Sequence, residues 1–172
     1  MEEQPSKPKL YIEPLGARHN RAAFSCCVSP LDKYLQTQAS QDLKKSLAAV
    51  YVLTSDATTI AAYYTLSAYS VRLDKIPEEI ARKPTRMPEI PATLVGRLAR
   101  SCAFRGQGIG EILLTNALKR SLANSKYVAS WTVVVDAKDS NAVAFYKKYG
   151  FMEIPATPER LFLPMETIAK LP

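Results

Sequence analysis

Thr93–Ser121 reads TLVGRLARSCAFRGQGIGEILLTNALKRS, and the rest of the chain is organised around it. Thr93–Ala99 is an apolar, β-favouring run of the length of a buried strand. Arg105-Gly106-Gln107-Gly108-Ile109-Gly110 then sets three of the chain's 6 glycines on alternate positions. From Gly108 onward Ile109, Ile112, Leu113, Ala117 and Leu118 recur at helical spacing, with Glu111, Asn116, Lys119 and Arg120 on the other face. A strand, a basic glycine turn and a helix are expected in succession. A helix that opens on such a turn leaves its first backbone N–H groups unpaired and aimed at one point. With the positive end of the helix and Arg105, those donors predict a phosphate or pyrophosphate site.

The spacing separates this turn from two other phosphate loops. A Walker A loop ends in Gly-Lys-Ser/Thr, whereas Gly110 is followed by Glu111-Ile112. A dinucleotide fingerprint is G-x-G-x-x-G, and this chain has G-x-G-x-G. The turn instead resembles the Arg/Gln-x-x-Gly-x-Gly/Ala signature of the GNAT acetyltransferases, with Arg105, Gly108 and Gly110 in its three defined positions. A second stretch, Asn141-Ala-Val-Ala-Phe-Tyr-Lys-Lys-Tyr-Gly-Phe151, resembles another GNAT segment through Asn141, Ala144, Phe145, Tyr146, Gly150 and Phe151.

The resemblance implies an α+β GNAT fold: a mixed, mostly antiparallel twisted sheet with flanking helices and a V-shaped splay between two central parallel strands. It also implies acetyl-CoA as co-substrate and no metal. Leu98, Ala99 and Arg100 at the strand end, the turn residues Arg105, Gly106, Gln107, Gly108, Ile109 and Gly110, and Asn141 would bind the cofactor. Tyr146, on the helix that faces the thioester in the family, would be the general acid. The chemistry asks for little more. A phenol of pKa ~10 stays protonated at neutral pH and can hand its proton to a departing thiolate of pKa ~8.5. A strand N–H near Ala99 or Arg100 would polarise the carbonyl. An α-amino acceptor, with pKa about 8, is already partly neutral, while a lysine near ~10.4 needs more help.

Other chemistries find little material. With 3 cysteines and His19 as the only histidine, neither a disulfide framework, a zinc spacing nor a His-based triad is legible. Cys102, beside Arg100 and Arg105, could be imagined as an acyl acceptor, but no base partner is visible. Tyr149 is assigned to packing and His19 to an exposed loop. Hydrophobic residues at 47% and charged residues at 23% are those of a soluble globular protein. No signal-peptide pattern and no long apolar run is found, so a cytoplasmic, non-membrane location is expected. The net charge of +7 suits a polyanionic ligand, CoA or RNA, as well as plain solubility.

One domain spanning residues 1–172 is expected, with residues 1–8 as a tail. Leu10–Leu15 is a first strand. Ser29-Pro30-Leu31-Asp32 starts a helix with Ser29 as its cap, and Leu31, Tyr34, Leu35 and Gln38 share a face that continues through Leu43 and Leu47. Ala48–Thr54 and Thr59–Val71 form a hairpin about Ser55–Thr58. Pro77–Lys83 is a short helix and Lys83–Pro91 a loop. Tyr127–Ala137 is a second buried strand. Asp139 or Ser140 caps a helix over Asn141–Tyr149, which Gly150 ends. Phe151–Ile154 and Leu161–Ile168 close the sheet.

Further segments resemble the toxin-type branch of the GNAT proteins, the toxins of type II toxin–antitoxin modules. They are Phe24-Ser-Cys26, Leu31–Leu35, Tyr63–Ser67, Gly96–Ala99, Val135–Lys138 and Leu161–Met165. Cys27 departs from that branch, which usually carries Gly there. The resemblance implies acetylation of the α-amino group of aminoacyl-tRNA, blocked translation, a ribbon-helix-helix antitoxin and a homodimer. Arg21, Lys33, Lys44, Lys45, Arg72, Lys75, Arg82, Lys83, Arg86, Arg97 and Arg100 are candidate phosphate contacts. A GNAT enzyme acting on a protein N-terminus, lysine or small amine, and a non-catalytic CoA-binding regulatory module, are the other readings.

Overall fold

The computed structural model describes residue 6 and residues 8–81, 88–155 and 157–172. Most of the expected tail, and residues 83–87 of the proline-rich loop, lie outside the described residues. Seven strands lie in the order β1 (Tyr11–Pro14), β2 (Ala49–Thr54), β3 (Ala62–Arg72), β4 (Glu89–Arg100), β5 (Thr132–Asp136), β7 (Thr157–Pro164) and β6 (Met152–Ile154). The helices are α1 (Ser29–Lys33), α2 (Ala39–Lys44), α3 (Glu78–Ala81), α4 (Ile109–Asn124), α5 (Ser140–Lys148) and α6 (Met165–Ile168). The chain divides into two compact units, one holding the residues up to Tyr64 with Leu98–Leu113, the other Thr65–Arg97 with Leu114–Pro172.

In the first unit β1 runs antiparallel to β2, with Ile12 opposite Leu53 and Glu13 opposite Val52. The predicted hairpin turn is organised by Asp56. Its carboxylate accepts the N–H groups of Thr58 at 2.9 Å and Thr59 at 2.7 Å, and the Thr59 hydroxyl at 2.8 Å. Those donors favour the charged form and bring the Asp56 pKa down to about 2. The helical segment differs from expectation at its start and in its middle. Val28, not Ser29, is the capping residue, and Asp32 accepts the Cys26 N–H at 2.8 Å. A π-helical turn at Tyr34–Gln38 joins α1 to α2, closed by the Ala39 N–H on the Tyr34 carbonyl. The wider turn rotates the apolar stripe, so Ala39 is buried while Gln38, Leu43 and Leu47 face solvent. The core gathers Leu15, Phe24, Tyr34, Leu35, Val50, Val52, Tyr63 and Ala99. Tyr63 is fully buried and its hydroxyl donates to the Leu31 carbonyl at 2.7 Å, so the ring's burial carries no unpaired polar atom.

His19 is no exposed loop residue; it is only 4% exposed. Its Nδ1 accepts the Gly16 N–H at 2.9 Å, which leaves the proton on Nε2 for Glu13, 2.7 Å away. Arg18 also bonds Glu13, and that bond, ahead of the histidine, holds the carboxyl below its usual range.

In the second unit β4 and β5 are parallel, in register from Ala92 opposite Thr132 to Val95 opposite Val135. Strand β7 runs antiparallel to both β5 and β6. Val71, Ile90, Ala92, Val134, Ile154 and Phe162 form the core. Several boundaries shift. Strand β4 begins at Glu89, inside the stretch read as loop, because the Pro91 carbonyl takes the Trp131 N–H at 2.8 Å. Tyr127 and Val128 belong to no strand. Their N–H groups return to the Asn124 carbonyl at 2.9 and 3.0 Å, and their side chains are 87% and 68% exposed. Strand β7 starts earlier than predicted and stops at Pro164, after which Met165–Ile168 turns into α6.

Candidate active site

The first unit holds Leu98 to Gly110, the whole of the predicted cofactor stretch except Asn141. Strand β4 ends at Arg100, a single 3-10 turn covers Cys102–Phe104, and the glycine turn leads into α4. Ile109 and Leu113 are buried, which pins the first turn of the helix. The buried stripe continues through Leu114, Ala117 and Leu118, and Ile112, expected on that face, is 42% exposed. Ile112 lies nearly a hundred degrees off the stripe that starts at Ile109 and runs through Leu113 and Ala117. Gly106 has φ +74 and Gly108 φ +67, and a Cβ built on either would meet nothing within 4 Å. The backbone is bent as only glycine bends easily, and the space beside it is open. The Ile112 N–H bonds the Gly108 carbonyl at 3.2 Å, so helix geometry aims the amides before it past the end of α4 into that space. Arg105 and Gln107 are exposed beside them. This cradle fits a pyrophosphate.

The strand end narrows the choice of a carbonyl-polarising amide. Arg97 N–H donates to the Thr65 hydroxyl at 3.1 Å and Ser101 N–H to the Ala61 carbonyl at 2.8 Å. Successive strand amides alternate in direction, so Ala99 N–H shares that side while Leu98 and Arg100 N–H point the other way. Ala99 itself is packed in the core. The Leu98 and Arg100 amides thus lie on the side of the strand away from Thr65 and Ala61. The Arg100 Nε is buried with no hydrogen-bond partner, the kind of orphan a bound polar ligand would satisfy.

Cys102 is not an unpaired thiol. It is joined to Cys27 as a disulfide, with the Cα atoms 6.5 Å apart and 75 residues between them in sequence. While the bridge is in place Cys102 offers no thiol to accept an acyl group. Spacing alone gave no sign of the pair. A signal was nonetheless present, since Cys27 stands where the resembling branch carries Gly and adopts φ +66.

The second unit holds Asn141 and Tyr146. Asp139, rather than Ser140, caps α5 by accepting the Ala142 N–H at 2.8 Å, and this sets Asn141, exposed, in its first turn. Gly150 follows the helix at φ +95 and lets the chain turn back into β6. Tyr146 is buried, edge-to-face with Phe145 at 5.3 Å and Phe151 at 5.5 Å. Tyr149 packs on Phe145 at 5.1 Å, as expected of a packing residue. Burial first, and the negative charge of Asp136 second, push the Tyr146 phenol above its ordinary range. Asp136 is engaged by the Arg160 Nε at 2.7 Å, and Arg160 in turn bonds the Tyr69 hydroxyl. Sequence reasoning missed this chain of contacts. Asp136 and Arg160 meet only through the β5–β7 register, which pairs them directly.

Of the basic candidates, Arg72 is tied to Asp74 at 2.9 Å and Arg21 to the Ser40 hydroxyl. Lys33, Lys44, Lys45 and Lys75 are exposed, and Arg82, Lys83 and Arg86 lie outside the described residues. Among the described residues no group of three or more His, Cys, Asp or Glu could hold a metal, and no helix is long and apolar enough to cross a membrane.

Residues 92–168 match the family model described as an acetyltransferase (GNAT) domain. Over 172 aligned residues the chain is 34% identical to the probable toxin TacT of Sinorhizobium fredii (strain NBRC 101917 / NGR234), covering 95% of each protein. The fold superimposes on AtaT complexed with acetyl-methionyl-tRNAfMet with a TM-score of 0.87 at 26% identity, covering 94% of this chain and 98% of that one. A tyrosine-to-phenylalanine mutant of AtaT bound to the C-terminus of the antitoxin AtaR and acetyl-CoA gives 0.78 at 25% identity, over 93% and 96% of the two chains.

Proposed function

The chain belongs to the GNAT acetyltransferase family, in its toxin branch, and on that premise we propose that it acetylates the α-amino group of aminoacyl-tRNA from acetyl-CoA, and so blocks translation. The observation that carries this reading is the open cradle of Gly106 and Gly108 at the N-terminus of α4, with Arg105 beside it. AtaT, of the same fold, complexed with acetyl-methionyl-tRNAfMet supports the acceptor, and the AtaT mutant bound to acetyl-CoA supports the donor.

When bound, acetyl-CoA supplies an activated acetyl thioester. Each proposed residue then has a limited task. The amides of the glycine turn and Arg105 hold the pyrophosphate, and Asn141 makes a further contact to the cofactor. The Leu98 or Arg100 N–H stabilises negative charge developing on the carbonyl oxygen. Tyr146, kept protonated by its buried setting, donates its hydroxyl proton to the departing sulfur and is reprotonated from the acetylated amine. Exposed lysines such as Lys33, Lys44 and Lys45 offer contacts to the RNA backbone, whose recognition rests mainly on shape and phosphates. A ribbon-helix-helix antitoxin and a second copy of the chain are the proposed protein partners. The AtaT mutant bound to the C-terminus of the antitoxin AtaR supports an antitoxin as partner. A charged-tRNA acceptor supports a cytoplasmic site of action.

The test is labelled acetyl transfer to a pool of charged tRNA, wild type beside Tyr146→Phe. The phenylalanine keeps the ring contacts to Phe145 and Phe151 and loses only the proton donor, so turnover should fall by about 10²–10⁴-fold with acetyl-CoA affinity retained. Label on peptides or small amines and none on tRNA would refute the acceptor. Unchanged turnover in the variant would remove Tyr146 as the acid.

A further inference from the structure

We infer that Cys27 and Cys102 form a reversible thiol–disulfide site that sets how tightly the glycine turn holds acetyl-CoA, an inference that rests on the acetyl-CoA reading above. Three observations within the first unit carry it. Cys27 sits at φ +66, where a side chain is disfavoured, yet its Cα is 6.5 Å from that of Cys102, within the span a disulfide bridges. What the sulfur meets accounts for a cysteine at a glycine-favouring position. The two segments also meet independently of the bridge, because the Cys102 N–H donates to the Ser25 carbonyl at 2.9 Å. Reduction thus leaves the two thiols facing each other. Finally, the guanidinium of Arg105, the cation of the turn, stands 3.7 Å from the Cys102 sulfur.

Arg105 favours the thiolate of Cys102 once the bridge is open, which makes Cys102 the attacking sulfur and also draws the Arg105 charge away from the turn. A peroxide is the oxidant. The Cys102 thiolate attacks one peroxide oxygen, the O–O bond breaks, and the hydroxide released takes a proton to become water. The Cys27 thiol then attacks that sulfur. The S–S bond forms, the S–O bond breaks, and the hydroxyl leaves with the thiol proton as a second water. Two electrons pass from the sulfurs to the peroxide, and a dithiol reductant returns them. In the bridged state the sulfur beside Arg105 carries no charge to compete with the pyrophosphate for that guanidinium, and the segment from Cys102 to Arg105 is tied down before the ligand arrives.

The experiment treats the full chain, wild type and Cys27→Gly, with hydrogen peroxide or dithiothreitol. It then maps cysteines by alkylation under denaturing conditions and mass spectrometry, and titrates acetyl-CoA by calorimetry. After peroxide, Cys27 and Cys102 of the wild type escape alkylation and Cys26 is modified; after dithiothreitol all three are modified. The oxidised wild type binds acetyl-CoA about threefold or more tightly than the reduced, since the ordering of the turn is prepaid. Cys27→Gly shows no such difference. Alkylation of both cysteines after peroxide overturns the site, and a bridge that leaves affinity unchanged overturns its role. If neither state binds acetyl-CoA, the cofactor reading fails and the control of affinity with it, while the alkylation map still decides the bridge.

Discussion

Replacing Gly108 by alanine separates the conformation of the turn from its function. Gly108 has φ +67, and an added Cβ there would meet nothing within 4 Å, so the free protein suffers no clash. The cost to folding is the left-handed backbone alone, about 1–2 kcal/mol for a residue with a Cβ. For a chain of this size that lowers Tm by roughly 2–8 °C, toward the lower figure because an exposed turn can relax. Ligand binding should suffer more. The open space beside the turn is where the pyrophosphate would approach, and a methyl group there displaces it from at least one amide. A charge-assisted hydrogen bond is worth about 1.5–3 kcal/mol, so acetyl-CoA affinity should fall by roughly 10–150-fold. Denaturant melts and calorimetric titration measure the two effects on one sample. Gly16→Ala is the control, since its Cβ would make only an ordinary 3.9 Å contact with His19. Wild-type affinity in a folded Gly108→Ala protein would refute the turn as the pyrophosphate site.

Other perturbations give equally definite outcomes. Because the Tyr146 phenol is raised above its usual range, the protonated and active form persists upward, and turnover should show no loss from its ionisation as pH rises to about 10; a limb near neutrality that vanishes in Tyr146→Phe would contradict this. Asp56 is depressed to about 2 from an ordinary 3.8. Its contribution is therefore complete above the unfolded value and fades as pH falls toward the folded one, so the stability gap between wild type and Asp56→Ala should narrow below pH 4 in denaturation curves. His19→Ala leaves the Gly16 N–H and Glu13 without their buried partner and should cost about 1–3 kcal/mol in urea melts with no change in acetyl-CoA affinity.

The motifs and the elements that carry them were legible because they are local. Helical spacing, the glycine turn and the Asn141–Phe151 segment depend on residues within one or two turns of each other, and the backbone conformations found at Gly106, Gly108 and Gly150 are those the residue type favours. The family followed from these stretches alone. What escaped the sequence was set by contacts between distant residues. The π turn moved burial from Gln38 to Ala39, and no local pattern marks it. Strand β4 reaches back to Glu89 because a partner at Trp131 takes the Pro91 carbonyl, overriding prolines that read as loop. Asp136 finds Arg160 by strand register, His19 finds Glu13 by burial, and Cys27 finds Cys102 across 75 residues. Spacing along a chain encodes the periodicity of an element; which side chains meet is decided only when those elements pack, since hydrogen bonds and sulfur pairing act over a few ångströms of space whatever the separation in sequence.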